Sequence, residues 1–235
     1  MHLGNAQGDT LAGVDCDASL LAVLKLIETE ADPFDLFLIT GDIAHFGAES
    51  AYRRLKDYLT AIGVPIAMLP GNHDDAVALA SVFGELPRRM VMGNWQCIFL
   101  DSNGKDENNG YLDDEELAFL EHALAKPMAD HSMIALHHQP VDIGSRWIDT
   151  MQLENKQLFF DIVDKYANTR LVIWGHVHQA FDAWHRQVRL LSSPSTCTQF
   201  LPMSDIHLKD DLKAGYRWLD LKTDGTMETG IVRVV

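Results

Sequence analysis

Hydrophobic stretches of strand length alternate with segments of helical period along most of the chain. Residues 19–28, SLLAVLKLIE, place apolar side chains on one helix face, and residues 32–40, DPFDLFLIT, form an apolar run of strand length. Residues 48–62 repeat the helical pattern, and residues 64–70, VPIAMLP, repeat the strand. Such an alternation of helices and strands is typical of α/β proteins.

The second half of the chain continues this pattern. Further strands are predicted at 95–102, 132–138 and 169–178. A helix is predicted at 113–124, where Asp113 would cap the first turn and Glu116 would complete a capping box. Short alternating runs near the C-terminus favour antiparallel strands and hairpins. With a length of 235 residues, we expect residues 1–235 to form a single α/β domain.

Acidic residues outnumber basic ones, which limits the choice of partners. The chain has 34 acidic and 19 basic residues, a formal charge of −15, and no local basic patch. This balance disfavours nucleic acid and anionic membrane surfaces as partners. An anionic substrate would need concentrated positive charge, which bound cations can provide.

Cysteine spacing and hydropathy indicate the compartment. Cys16, Cys97 and Cys197 lie far apart and match no metal-finger spacing, which predicts a reduced protein. The sequence shows no apolar run of membrane-spanning length and no signal-peptide pattern. We therefore expect a cytoplasmic protein without a membrane partner.

Polar side chains follow the predicted strands at the points where the strands end. These residues are Asp42, Asn72, His137, His176 and His178. In α/β sheets, ligand sites gather at this edge. Imidazole, carboxylate and amide donors suit Mn, Fe or Zn ions better than Ca²⁺, which prefers oxygen ligands. The pattern predicts a transition-metal site.

A single histidine is more often a surface residue than a ligand, so position within the pattern decides the interpretation. Four further histidines are interpreted as surface or hydrogen-bonded residues: His122, His131, His185 and His207. For His45 the sequence favours neither interpretation. The joint occurrence of GD, GNHD, HH and GHVH in chain order, each after a strand, carries more weight than any element alone.

These blocks resemble a known family. GDIAHFG, PGNHDD, ALHHQP and WGHVH are similar to the signature motifs of the calcineurin-like metallophosphoesterases. GVDCDASL, LHHQPVDIGSRW and SSPSTCTQF resemble the branch of bacterial class III 3′,5′-cyclic AMP phosphodiesterases. The resemblance implies a four-layer α/β/β/α sandwich with two facing mixed β-sheets, of which the N-terminal strand is missing from this sequence.

The resemblance also implies two metal ions, with Fe or Mn preferred and Zn as an alternative. Asp42 would bridge the ions with one carboxylate oxygen on each. One ion would be bound by Asp42, Asn72, His137 and His176, and the other by Asp42, His178 and His2. Asn72, His73 and His178 would contact the substrate.

His2 corresponds to the histidine of the family motif D-x-H. Its two ligands are one residue apart because alternate side chains of a strand share a face. Met1 stands at x, so the aspartate would precede the first residue. Our preferred hypothesis places the aspartate and a first strand upstream of Met1. The alternatives are a truncated protein with a depleted first metal site, and replacement by Asp9, Asp15 or Asp17, which are more simply loop and helix-cap residues.

The implied activity is hydrolysis of 3′,5′-cyclic AMP to 5′-AMP by a dinuclear centre with a bridging hydroxide. His73 would give a proton to the leaving 3′-oxygen. Asp74 would orient His73 or its loop, and Asp75 would cap the following helix. His138 would either touch the substrate or support His137. The alternatives are a phosphodiesterase for other phosphodiesters and a metal-depleted nucleotide binder with little turnover.

Two further segments lie near the motifs. Cys197 is interpreted as a small buried hydrophobe whose neighbours shape the base or phosphate pocket. Arg146 and Trp147 could meet phosphate and base. The partners expected are cyclic AMP and a second copy of the chain in a homodimer.

Overall fold

The structure is a computed structural model that describes residues 1–104 and 108–235. The helices are α1 Cys16–Glu30, α2 Glu49–Tyr58, α3 Ala76–Phe83, α4 Asp114–Ala125, α5 Arg146–Asp149 and α6 Lys156–Val163, with a 3-10 turn at Leu59–Ala61. The strands are β1 Thr10–Leu11, β2 Val14–Asp15, β3 Phe37–Ile39, β4 Ile66–Met68, β5 Arg89–Met92, β6 Trp95–Phe99, β7 His131–Leu136, β8 Thr169–Trp174, β9 Asp182–His185, β10 Val188–Ser192, β11 Gln199–Phe200, β12 Lys209–Asp210, β13 Gly215–Leu221 and β14 Met227–Arg233.

A six-stranded mixed sheet lies at the centre, in the order β5-β6-β7-β8-β10-β9. The strands β6, β7, β8 and β10 run parallel, and β5 and β9 close the two edges antiparallel to their neighbours. The register pairs Leu136 with Trp174, so β7 and β8 end at the same level. The loops that follow these two strands therefore start side by side.

Four layers pack through three large apolar cores, and a smaller fourth core contains Val23, Ile27 and Ala214. Leu120 and Phe159, both fully buried, join α4 and α6 to one face of the central sheet. Ala67 of β4 and Leu219 of β13 pack on the other face. On the outer side of β3 and β4, a further core contains Leu79 and other side chains of α1, α2 and α3. The predicted α/β/β/α order is confirmed.

The second β layer consists of two separate ladders among the described residues. β3 and β4 pair in parallel, and β13 and β14 form an antiparallel hairpin. Leu3 adds a single parallel bridge to Ala44 beyond the end of β3. The hairpin confirms the predicted β-rich C-terminal part.

Side-chain caps fix the starts of three helices. Asp15 accepts from the Ala18 amide at 2.9 Å, Asp113 from the Glu116 amide at 2.8 Å, and Asp75 from the Val77 and Ala78 amides. The predicted caps by Asp75 and Asp113 are confirmed. The predicted capping box is wrong, because the Glu116 carboxylate binds Arg88 at 2.7 Å instead.

Within residues 1–104 and 108–235, no helix is both long enough and apolar enough to cross a membrane.

Candidate metal centre

Two glycines allow the loops after β3, β4 and β7 to touch. Gly41 has φ of +93°, and a Cβ there would lie 2.3 Å from His137 Nδ1. A Cβ on Gly71 would lie 2.3 Å from Asp42 Oδ1. Any side chain at either position would force the loops apart, so glycine is required for the approach.

The first group of donor atoms surrounds the Asn72 side chain. Its Oδ1 lies 3.2 Å from His137 Nε2 and 3.1 Å from His176 Nδ1. Asp42 Oδ2 lies 3.3 Å from the same nitrogen of His137. The structure thus brings together the four side chains expected at one metal ion.

A backbone contact fixes the tautomer of His137. Its Nδ1 lies 2.7 Å from the carbonyl oxygen of Thr40, which can only accept, so Nδ1 donates. In the neutral ring the lone pair is then on Nε2, which faces Asn72 and Asp42. Metal-binding histidines are oriented in this way by a carbonyl on the other nitrogen.

The second group of donor atoms centres on His2. His2 Nε2 lies 2.9 Å from His178 Nε2 and 3.4 Å from Asp42 Oδ2. The His2 amide also donates to the Asp42 carbonyl at 2.8 Å, so the N-terminal segment is tied to the loop after β3. This group agrees with the second set of ligands expected from the sequence.

Asp42 joins the two groups through one oxygen. Oδ2 lies within 3.4 Å of both His2 Nε2 and His137 Nε2. Oδ1 instead accepts the amide hydrogen of His73 at 3.2 Å. A carboxylate oxygen that accepts one amide hydrogen keeps a second lone pair, so the expectation of one oxygen for each ion stays a prediction. Burial alone would raise the pKa of Asp42, but His137 and His2 lower it well below the usual range.

Most of the imidazoles at the centre are neutral. Burial lowers the pKa of His176 and of His178 to about 3, and it lowers the pKa of His2 well below its usual value. Burial also lowers the pKa of His137, but the Asp42 carboxylate, the Thr40 carbonyl and Asp74 together raise it more, so the net pKa is raised. Neutral rings present lone pairs, which is the form that binds metal ions.

The donors fit metal ions because several ring nitrogens have no hydrogen-bond partner. His176 Nε2 and His178 Nδ1 are buried and unpaired within residues 1–104 and 108–235. His2 and His178 meet through Nε2 atoms, where one ring must supply a proton that the other accepts. Buried polar atoms normally have partners, and cations between these nitrogens would supply them. An N- and O-donor set of this kind suits Mn, Fe or Zn.

Backbone strain is concentrated at the same residues. Four of the expected ligands have left-handed backbone conformations: His2 with φ of 58°, Asp42 with 52°, His176 with 55° and His178 with 49°. This conformation is uncommon for residues other than glycine and persists where surrounding structure enforces it. In these conformations the four side chains extend inward from loops and not from regular strands.

His73 and His45 form the rim of the second group. The two rings stack with centroids 4.8 Å apart, and His45 Nδ1 lies 3.3 Å from His2 Nδ1. His73 Nδ1 donates to the His45 carbonyl at 3.1 Å. His45, undecided from the sequence, therefore belongs to the cluster with His2 and His73.

Comparisons with known proteins agree with this geometry. The family model described as calcineurin-like phosphoesterase matches residues 1–180. The chain belongs to the calcineurin-like phosphoesterase family. Membership in this family implies a metal cofactor.

Several relatives of known name cover nearly the whole chain. The 3′,5′-cyclic adenosine monophosphate phosphodiesterase CpdA of Pseudomonas aeruginosa is 39% identical over 99% of this chain and 87% of its own length. A 3′,5′-cyclic-nucleotide phosphodiesterase of Nostoc sp. is 37% identical over 100% of this chain and 90% of its own. CpdA of Escherichia coli K12 is 33% identical over 99% of this chain and 86% of its own.

Solved structures show the same fold at low identity. A dimetal phosphatase from Danio rerio has a TM-score of 0.62 and 14% identity, covering 99% of this chain and 98% of its own. GAP50 of Plasmodium has a TM-score of 0.69 and 14% identity, covering 99% of this chain and 83% of its own. At this identity the likeness concerns the fold alone.

Asp74 ties together two loops of this phosphoesterase centre. Its carboxylate accepts from the amides of Ile43 at 3.0 Å, Ala44 at 2.8 Å and Gly71 at 2.9 Å. It also accepts from the Tyr52 hydroxyl of α2 at 3.0 Å. Of the two roles expected for Asp74, the structure shows contacts with the loops rather than with the His73 ring.

His138 is fully buried behind the first group of donors. Its ring lies 4.8 Å from the His176 ring and 4.9 Å from the His137 ring, between centroids. Ser102 Oγ accepts the amide hydrogens of His137 and His138 and lies 2.9 Å from His138 Nδ1. These contacts favour a supporting role over contact with the substrate.

An aromatic cluster lies beside His178, and sequence reasoning missed most of it. The Phe200 ring stacks on His178 at 4.3 Å with an interplanar angle of 8°. Trp147 and His207 pack edge-on against Phe200 and against each other. Arg146 is ion-paired with Asp205. His207 is exposed, as predicted, and its ring also contacts Trp147 and Phe200. No local signal predicts this cluster, since its members lie far apart in the chain.

The three aspartates considered as replacements for the D-x-H aspartate bind elsewhere. Asp9 accepts from the Ala6 amide, Asp15 caps α1, and Asp17 binds Arg54 and Tyr58. Among the described residues, none of the three belongs to a group with metal-binding geometry. Their interpretation as loop and helix-cap residues is favoured over substitution.

Proposed function

We propose that this phosphoesterase hydrolyses 3′,5′-cyclic AMP to 5′-AMP with two metal ions. The observation that carries the proposal is that Asp42 Oδ2 lies within 3.4 Å of one histidine nitrogen from each donor group. The names of the relatives with 37% and 39% identity over the whole chain support a cyclic nucleotide as substrate.

Each ion has a proposed set of ligands. Asp42, Asn72, His137 and His176 would hold one ion, and Asp42, His2 and His178 the other. Fe or Mn is preferred and Zn is the alternative, because borderline ions accept this mixture of nitrogen and oxygen donors. When bound, the ions supply positive charge for the phosphate and acidify a water molecule. The chain carries a charge of −15, so this local positive charge also lets an acidic protein bind an anionic nucleotide.

His73 is the proposed catalytic acid. Its Nδ1 hydrogen is engaged by the His45 carbonyl, so Nε2 is the nitrogen left to give a proton to the leaving 3′-oxygen, which requires the form of the ring that is protonated on both nitrogens. The stacked His45 ring restricts rotation of His73 and keeps Nε2 in place. Asn72, His73 and His178 are the proposed substrate contacts.

The aromatic cluster beside His178 is the proposed contact for the nucleobase. Bases stack on flat aromatic side chains without strict geometric demands. Phe200 joins the cluster directly to a ligand histidine, so a base bound there would belong to a nucleotide whose phosphate is at the metal ions. Trp147 Nε1 is buried and unpaired within the described part of the chain.

Domain organisation, location and oligomeric state belong to the same proposal. We propose that residues 1–235 form a single domain, and the apolar cores that join the four layers of the described residues support this. Three free thiols support a cytoplasmic location.

Exposed apolar side chains support a homodimer: Met203, Ile206, Leu208 and Leu212. Light scattering would measure the mass, and a monomer at micromolar concentration would exclude the dimer.

The test of function is hydrolysis of cyclic AMP by the purified chain after loading with Mn²⁺, Fe²⁺ or Zn²⁺. We expect 5′-AMP as product, separated from 3′-AMP by chromatography. Faster turnover of linear phosphodiesters would favour the alternative that the protein is a phosphodiesterase for other phosphodiesters. Cyclic AMP binding without turnover in all metal-loaded forms would favour the nucleotide binder.

A further inference from the structure

Two cysteines from distant parts of the chain meet in the interior. Cys16 Sγ and Cys197 Sγ are 3.3 Å apart, and 181 positions separate the residues. Both side chains are buried, with 1% and 3% of their surfaces exposed. Cys97, the third cysteine, is buried in β6 and lies in a different core.

Hydrogen bonds hold the two backbones on either side of the sulfurs. Cys16 is the first residue of α1, and its amide donates to the Asp9 carbonyl at 3.2 Å. The Cys197 amide donates to Ser195 Oγ at 3.0 Å. Ser19 Oγ donates to the Thr196 carbonyl at 2.8 Å and joins the two segments directly. These bonds hold the two segments together beside the sulfurs, and an S–S bond of about 2 Å requires only a small further approach.

We propose that Cys16 and Cys197 are a redox-active pair that forms a reversible disulfide on reaction with a hydroperoxide. One thiolate attacks the terminal oxygen of the hydroperoxide, which breaks the O–O bond and yields a sulfenic acid and an alcohol, or water from hydrogen peroxide. The second thiol then attacks the sulfenic sulfur, and water leaves as the S–S bond forms. The two thiols lose two electrons and the peroxide gains them. Exchange with a small thiol reverses the reaction.

Either sulfur can donate in this contact, and the thiol that becomes the thiolate is the attacking group. With Cys16 as the donor, the contact lowers the pKa of the Cys197 thiol, and together with burial it raises the pKa of Cys16. Thiolates are the reactive form of cysteine. Cys97 is the internal control, since burial raises the pKa of its thiol to about 12.

The disulfide would join α1 to the segment that leads into the metal centre. Cys197 is three residues before Phe200, whose ring lies on His178. A bond between residues so far apart restricts the unfolded chain strongly, so the oxidised protein should be the more stable form. A disulfide that forms and breaks with oxidant is also compatible with a reducing compartment.

The experiment uses the whole chain without substitutions. The reduced protein is treated with hydrogen peroxide, quenched, alkylated and analysed by intact mass and peptide mapping. We expect a mass lower by two hydrogen atoms, a Cys16–Cys197 cross-linked peptide, and Cys97 recovered as the alkylated thiol. Oxidation should raise Tm by roughly 5 °C. Dithiothreitol should restore both mass and Tm.

Three results would overturn the proposal. These are free thiols at both positions after treatment that oxidises the urea-unfolded chain, sulfinic acid at Cys197 without a cross-link, and a cross-link that includes Cys97. C97S provides a matched variant that retains the pair and should still form the disulfide. None of these readouts requires catalytic activity, so failure of the proposed phosphodiesterase function would leave this test intact.

Discussion

The two donor groups of the metal centre are held in different ways. In the first group, His137 is oriented by the Thr40 carbonyl, and Asn72 Oδ1 is within 3.2 Å of two histidines. In the second group, His2 Nε2 lies near His178 Nε2 and the Asp42 carboxylate, and His2 Nδ1 lies near His45 Nδ1. None of these contacts of the His2 ring is with a backbone acceptor. The first group is therefore preorganised, whereas the second depends more on a bound cation for its order.

Because of this difference, the two donor groups should bind metal ions with different affinities. Preorganisation lowers the cost of binding because the ligands need little rearrangement. We expect the ion at Asn72, His137 and His176 to bind first and more tightly. The ion at His2 and His178 should be the more easily removed.

The largest effect is expected for the residue that the two groups share. D42N removes the negative charge that faces both His2 and His137, so both ions should be lost and turnover should fall by about a thousandfold or more. Metal analysis and cyclic AMP hydrolysis measure this. H122A, on the exposed surface of α4, is the matched control. Retention of two ions by D42N would contradict the bridging role.

The contrast itself is tested by comparing H137A with H2A. H137A removes a preorganised ligand, so it should lose both ions on dialysis. H2A should retain the ion of the first group, and its activity should recover partly at high Mn²⁺. Substitution of a residue that supports a metal ligand typically lowers metal affinity by about 10–100-fold, and loss of a ligand itself should cost at least as much. Equal metal content in the two variants would show that the groups do not differ.

The proton donor gives a smaller and substrate-dependent effect. H73N should lower kcat for cyclic AMP by about 10²–10⁴-fold, the range typical of general acids. The loss should be much smaller for bis(p-nitrophenyl) phosphate, since p-nitrophenolate leaves without a proton. Equal losses for both substrates would assign His73 to positioning rather than to acid catalysis.

The sequence predicted the features that depend on chain order. Asp42 and Asn72 follow the parallel strands β3 and β4, and His137 follows β7 of the central sheet, so these candidate ligands could be expected together at the strand ends. Helix caps at Asp75 and Asp113 were also predictable, because capping is a local interaction. Family motifs then supplied the grouping that composition and periodicity do not contain.

Contacts between distant segments were not predictable in the same way. Local sequence predicted that Glu116 would complete a capping box, but its carboxylate binds Arg88, the residue before β5. The folded C-terminal segment brings Phe200 to His178 and His207 to Phe200. His45 needed its ring neighbours to be assigned. Tertiary packing overrides local preference in each case.

The aromatic cluster should affect binding more than turnover. W147A removes a ring that packs 5.1 Å from Phe200, between centroids. We expect KM for cyclic AMP to rise about tenfold, since stacking of one base contributes about 1–3 kcal/mol. KM for bis(p-nitrophenyl) phosphate, which has no nucleobase, should stay within twofold. A rise for both substrates would point to displacement of His178 instead.

The smallest effect is expected for the hydrogen bond between Tyr52 of α2 and Asp74, which links α2 to the loops of the candidate metal centre. Y52F removes the hydroxyl that donates to Asp74 at 3.0 Å and accepts from the Asp75 amide at 2.8 Å. Leaving buried partners unsatisfied costs about 1–3 kcal/mol of stability. Y58F is the matched control, because Tyr58 donates to Asp17 at 2.9 Å from the same helix. Both variants should lower Tm, and only Y52F should weaken Mn²⁺ binding, by a few-fold. If Y58F weakened it equally, the loss would reflect general destabilisation of α2, and the link from Tyr52 through Asp74 would be excluded.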